Sequence, residues 1–130
     1  MTPLEVHAIR DRGCWVVRLQ DDIDHATVPY WKSVLDLLGR DARVALDLDA
    51  VRYVDSAGIA LLLWLRRRLN GSGQLALARS PHFLNRIFQV AGIPALIPCY
   101  ADLMAALDAI SPLAGVPSRL EEGAGRAASP

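Results

Sequence analysis

The chain has 130 residues, 52% of them hydrophobic, which suits one domain with a real core and leaves little room for two. Acids and bases balance at 14 each, which argues against a nucleic-acid binder, since such a surface must carry excess cations to replace phosphate counterions. A protein partner is not excluded, because docking surfaces need carry no net charge. Cys14 and Cys99 lie far apart beside apolar or aromatic neighbours, and they are expected to be buried thiols in a reducing compartment rather than a disulfide. The 3 histidines and 2 lone cysteines offer no paired ligand spacing, so neither a metal nor a cofactor is expected.

In chain order, the opening "MTPLEVHAIRDRG" is charged and alternating, without the apolar core of a signal peptide. The longest apolar run, 57–65, contains a glycine and is too short to cross a bilayer, so a soluble, cytoplasmic protein is expected. "LEVHAIR" (4–10) alternates as a half-buried strand would, Asp11, Arg12 and Gly13 make a turn, and "CWVVRL" (14–19) completes a hairpin. "QDDID" reads as a polar break. Val28, Trp31, Val34, Leu35 and Leu38 recur at helical spacing over 26–38, with Asp24 as the cap, Pro29 in the first turn and Gly39 at the end.

"ARVALDLDAV" (42–51) is the candidate central strand. A second helix follows Ser56 and runs to about Leu69, closed by "NGSG", and "QLALA" (74–78) is a short strand. "SPHFLNRIFQVAGI" predicts a helix capped by Ser80 with Pro81 at its first position, and Phe83, Leu84, Ile87, Phe88 and Ala91 form its apolar stripe. "PALIP" reads as a short strand and "ADLMAALDAI" as a fourth helix. The Gly, Pro, Ala and Ser content of 113–130 predicts a disordered tail after a domain spanning 1–112. The resulting order, β-β-α-β-α-β-α-β-α, predicts a single α/β domain with one mixed, mostly parallel sheet and about four helices.

Sites in such sheets gather where strands end and helices begin. "VDSAG" occupies such a junction. Ser56 can be a plain helix cap, or it can carry a phosphate that meets the positive end of the helix and changes the charge of a docking surface. Asp55, with Asp22 and Asp24 from a neighbouring loop, would oppose that phosphate, and Gly58 would let a partner approach closely. The second helix is apolar nearly all round, which fits burial on both sides or docking. Leu61 widens its apolar surface, and Trp64 is either core packing or an interface anchor. Arg66, Arg67 and Arg68 suit the helix C-terminus as a solvated face.

Catalysis is not expected. "DSAG" is no G-x-S-x-G nucleophile elbow, and no spacing ties His7, His25 or His82 to Ser56. "NGSG" precedes a strand, not a helix, so it is no phosphate-cradling loop. Asp21, Asp22 and Asp24 read as solvated turn residues in preference to a cation site.

The segments "DDIDHATVPYW", "VALDLDAVRYVDSAGIALLL" and "QVAGIPALIPCYADLMAAL" together resemble the STAS domain of bacterial anti-sigma factor antagonists, over nearly all of 4–110. The resemblance implies a non-enzymatic regulator that binds an anti-sigma factor which is also a serine kinase. It implies phosphorylation of Ser56, directly after the motif acid Asp55, and reversal by a phosphatase. By position, Asp24 matches an acid expected to help dock the kinase, and Gly58 the glycine that opens the helix. Partner contacts are thus expected from Asp22, Asp24, Asp55, Ser56, Ala57, Gly58, Leu61 and Trp64. Two departures stand out: Asp21 replaces the usual loop glycine, and Ala57 replaces a second small hydroxyl.

A second branch resembles the sequence too, the stand-alone STAS subunit of ABC-type phospholipid transporters that maintain outer-membrane lipid asymmetry. It implies binding to the ATPase subunit through the second helix, with Ser56 as a contact residue. The third setting, the cytoplasmic tail of anion transporters, is not favoured because the sequence carries no membrane domain.

Overall fold

A computed structural model describes residues 3–69 and 74–112. A short helix, α1 (Pro3–His7), leads into an antiparallel hairpin of β1 (Ala8–Asp11) and β2 (Cys14–Ile23). Then follow α2 (Val28–Leu35), β3 (Val44–Val54), α3 (Ser56–Arg68), β4 (Leu75–Ala78), α4 (His82–Ala91), a 3-10 turn (Ile93–Ala95), β5 (Cys99–Tyr100) and α5 (Leu103–Ile110). The five strands lie in sequential order, and every pair after the hairpin is parallel. Sequential order with right-handed crossovers places α2, α3 and α4 on one face of the sheet.

Side-chain alternation divides the core accordingly. Val17, Leu19, Val44, Leu46, Leu48, Leu75 and Leu77 face the crossover helices, whose Trp31, Val34, Leu35, Leu61, Leu62, Leu65, Leu84 and Phe88 complete the larger cluster. Cys14, Val16, Ala45, Ala76 and Ala78 face the other way and meet Ala106, Leu107 and Ile110 of α5. The small residues on that face let α5 lie close. Where α5 does not reach, Asp47 is 5% exposed and accepts two hydrogen bonds from the Arg79 guanidinium, at 3.1 and 3.0 Å.

The α/β class, the parallel arrangement and the opening hairpin agree with the sequence pattern. Its turn consists of Arg12 and Gly13, both at positive φ (55° and 77°), the geometry a two-residue hairpin loop needs to match strand twist. Several local expectations are corrected. Residues 3–7 are helical, not a strand: Leu4, His7 and Ala8 are half-buried at helical spacing, and the His7 ring packs on Trp31, 4.5 Å between centroids. "QDDID" is no break, because β2 continues through it to Ile23 alongside β3. Polar side chains are tolerated there because Gln20, Asp21 and Asp22 are exposed, lining an open cleft with His7, Tyr30 and Trp31.

Helix α2 is shorter than the apolar spacing suggested, since the chain turns at Asp36. Its N-cap position is Thr27, not Asp24. Helix α4 has Pro81 at the N-cap, and Ser80 makes no capping bond. "PALIP" forms the 3-10 turn instead of a strand, because Pro94 and Pro98 have no N–H for a sheet ladder, and β5 shrinks to two residues beyond it. Cys14 is buried as expected, but Cys99 is exposed; both are free thiols. "NGSG" (70–73) and the tail (113–130) lie outside the described residues. Among the described residues, no helix is long and apolar enough to cross a membrane and no metal-binding cluster of His, Cys, Asp or Glu forms.

Candidate functional site at the start of α3

β3 and β2 end side by side, Val54 opposite Ile23, so the junction into α3 and the loop into α2 share one edge. Asp55, in extended backbone conformation, is the N-cap of α3, and its Oδ1 accepts from the Gly58 amide at 3.0 Å. Its Oδ2 accepts from the His25 amide at 3.1 Å, and the His25 ring Nδ1 stands 3.6 Å away. One carboxylate therefore caps the helix and ties down the neighbouring loop. The Gly58 bond is the main reason its pKa falls below the ordinary carboxylate value; desolvation opposes it, and the bonds from His25 and Ala57 add to the lowering. Asp55 is held as an anion.

Ser56 is consequently not the cap. It is the first residue of the helix, exposed, and its hydroxyl makes no hydrogen bond among the described residues. Ala57 beside it is half-buried. Gly58 is buried, and the reason for a glycine lies inside the molecule: an added Cβ would stand 2.4 Å from the Ile23 carbonyl oxygen and 2.7 Å from Val54 Cγ1. The close approach it permits is that of β2, not of a partner.

Asp24 shapes the adjoining loop. Its Oδ1 accepts from the amides of Ala26 and Thr27 at 3.0 and 3.1 Å, while Thr27 donates its hydroxyl to the Asp22 carbonyl at 2.7 Å. Asp22 is exposed at the end of β2. Asp21 precedes it at φ 61°, at an irregularity in strand register, which explains why a glycine suits this position.

The remaining expected residues separate from this edge. Leu61 is 2% exposed and lies in the core, so it cannot contribute to a docking surface. Trp64 is half-buried in the seam between α2 and α3, about 12 Å along the axis from Ser56. The Lys32 ammonium and Arg68 guanidinium stand over its ring at 5.0 and 5.9 Å. Arg68 also donates to the Asp36 carboxylate and the Leu38 carbonyl and is half-buried, whereas Arg66, which donates to the Leu96 carbonyl, and Arg67 are exposed, as the expected solvated face requires.

Sequence reasoning missed the other wall of the site. An open, mainly apolar groove of about 680 Å³ runs between the start of α3 and α4. Asp55, Ser56 and Ile59 line one side, and Phe83, Arg86, Ile87 and Val90 the other. Only Leu84 and Phe88 of the α4 stripe are buried; Phe83 is 38% and Val90 92% exposed. The signal was present in the spacing: Phe83, Ile87 and Val90 form a second apolar row beside the one the core needs.

Residues 5–106 match the family model of the STAS domain. The chain belongs to the STAS domain family. Its fold is shared by an anti-sigma factor antagonist from Mycobacterium paratuberculosis, at 24% identity and TM-score 0.72 over 79% of this chain and 90% of that one. The phosphorylated form of the Bacillus cell fate determinant SpoIIAA matches at 20% identity and TM-score 0.58, over 77% and 93% of the two chains. The STAS domain of a SulP transporter from Vibrio cholerae matches at 20% identity and TM-score 0.56, over 71% and 76%. No curated protein matches the chain in sequence. In this STAS domain, then, the edge carrying Asp22, Asp24, Asp55 and Ser56 and the groove beside it form the candidate site.

Proposed function

We propose that this STAS domain protein is a non-enzymatic, cytoplasmic anti-sigma factor antagonist. It binds an anti-sigma factor that is also a serine kinase, and phosphorylation of Ser56 switches it off. The observation that carries the reading is the exposed Ser56 hydroxyl, without a hydrogen bond among the described residues, at the mouth of an apolar groove, with Asp55 doing the capping beside it. A serine that capped the helix would lose a structural bond on modification; this one is free to react.

In the proposed step the kinase transfers the terminal phosphoryl of ATP to Ser56 Oγ. The P–O bond to ADP breaks, and the hydroxyl proton passes to a base of the kinase. A phosphatase reverses the change by hydrolysis. The added dianion stands beside Asp55, so like charge accumulates on the docking edge and the partner leaves. Asp22, Asp24, Asp55, Ser56 and Ala57 are the proposed contacts at this edge.

The reading as a phospholipid-transporter subunit relied on the broad apolar surface of α3. Leu61, Leu62 and Leu65 are core, and Trp64 is stacked under two cations, so that surface does not carry it. Affinity capture of the tagged chain from its own cells, with partners and phosphopeptides identified together by mass spectrometry, tests both. A serine kinase partner and a Ser56 phosphopeptide are expected. An ABC ATPase partner with unmodified Ser56 would reject the antagonist reading. In binding assays with the captured kinase, Ser56→Asp is expected to fold and lose the partner, while Ser56→Ala binds constitutively.

A further inference from the structure

Among the described residues, the groove beside Ser56 is lined by one arginine. Arg86 projects from α4 into the lining that Ser56 shares, and it is exposed. Among the described residues its guanidinium has no ion pair or hydrogen bond, whereas Arg68 and Arg79 are engaged with Asp36 and Asp47. On the Ser56 side the helix start is already occupied: the Asp55 carboxylate takes the Gly58 amide and adds negative charge of its own. A dianion on Ser56 therefore finds a like charge beside it and one uncommitted opposite charge across the groove.

We propose that Arg86 is the receiver of a phosphate on Ser56, drawing it across the mouth of the α3–α4 groove into an internal ion pair. The inference rests on the phosphorylation reading above and gives that site its regulation. In the unmodified chain, Arg86 stands at the groove free to meet a partner's carboxylate. In the phosphorylated chain, its planar fork is taken by phosphate oxygens, an arrangement arginine suits. Modification thus adds negative charge at the rim and at the same time withdraws the cation.

The test uses the full chain with phosphoserine inserted at position 56 during translation, so that no kinase is needed. The second ionisation of the phosphate, ordinarily near ~6, is followed by ³¹P NMR against pH at low salt. Arg86→Ala and Arg86→Lys are compared with the parent, and Arg40→Ala, which changes an exposed arginine in a separate cleft by Trp64, controls for net charge. The parent and Arg86→Lys are expected to ionise about half a pH unit below Arg86→Ala. That gap should shrink in about 1 M salt. Arg40→Ala should behave as the parent. Equal titration of parent and Arg86→Ala, or an equal rise in Arg40→Ala, overturns the pairing. A failed kinase capture would instead reject the partner reading and leave the Ser56–Arg86 pair as measured.

Discussion

Asp55 accepts from amides on two different elements, Gly58 at the start of α3 and His25 in the loop before α2. Those bonds hold its carboxyl below the ordinary range in the folded chain. The stability they contribute is fully present above the unfolded-state pKa of about 3.9 and is lost as pH falls through the lower folded value. The thermal stability of the parent is thus expected to fall below about pH 4 more steeply than that of Asp55→Asn, whose amide oxygen caps without titrating. Parallel pH profiles would show that Asp55 does not act this way. Gly58→Ala has two opposed effects: alanine gains about 1 kcal/mol of helix propensity, but its Cβ meets a backbone carbonyl at 2.4 Å that cannot swing aside. The clash should win, with a net loss of about 1–3 kcal/mol and a lower urea midpoint. The motif "DSAG" was legible in the sequence as a strand-to-helix junction. The division of labour within it was not, because capping depends on which side chain sits in extended backbone just before the first turn.

At the scale of elements, α4 and β2 carry the most informative surprises. Val90 is 92% exposed on the groove wall, so Val90→Asp should leave stability within about 0.5 kcal/mol of the parent. If the groove is the docking surface, the same change should weaken capture of the partner at least tenfold, measured by titration; unaltered affinity would place docking elsewhere. In β2, Asp21 holds a positive φ that costs an ordinary L-residue about 1–2 kcal/mol. Aspartate tolerates that conformation better than most residues. Asp21→Gly should therefore change stability by no more than about 1 kcal/mol, whereas Asp21→Val should be clearly destabilising in the same chemical denaturation experiment. The polar run around Asp21 looked like a loop because strand propensity counts polar residues against a strand. Side chains that stay in water at the end of a strand escape that penalty.

Across the whole molecule, the two faces of the sheet are covered unequally: the crossover helices build the larger cluster, and α5 alone, among the described helices, closes the smaller one. Leu107 is fully buried among small residues there, so Leu107→Ala leaves a void that neighbouring alanines cannot fill. A loss of about 2–5 kcal/mol is expected, a large share of the stability of a domain this size, read as an earlier cooperative transition in urea. A loss under about 1 kcal/mol would mean that α5 contributes little to the sheet.

The strict strand–helix alternation after the hairpin determined the class of fold, the parallel sheet and the side-by-side placement of Asp22, Asp24, Asp55 and Ser56. Each follows from local periodicity and the handedness of crossovers, which a sequence carries residue by residue. Tertiary structure alone decided that Leu61 and Gly58 face inward, that Trp64 sits in a seam between helices, and that Arg86 stands across a groove from Ser56. Those facts depend on the packing of α3 between β3 and its neighbours and on the approach of α4. Ser56 and Arg86 are 30 positions apart in the chain, and no local spacing relates them.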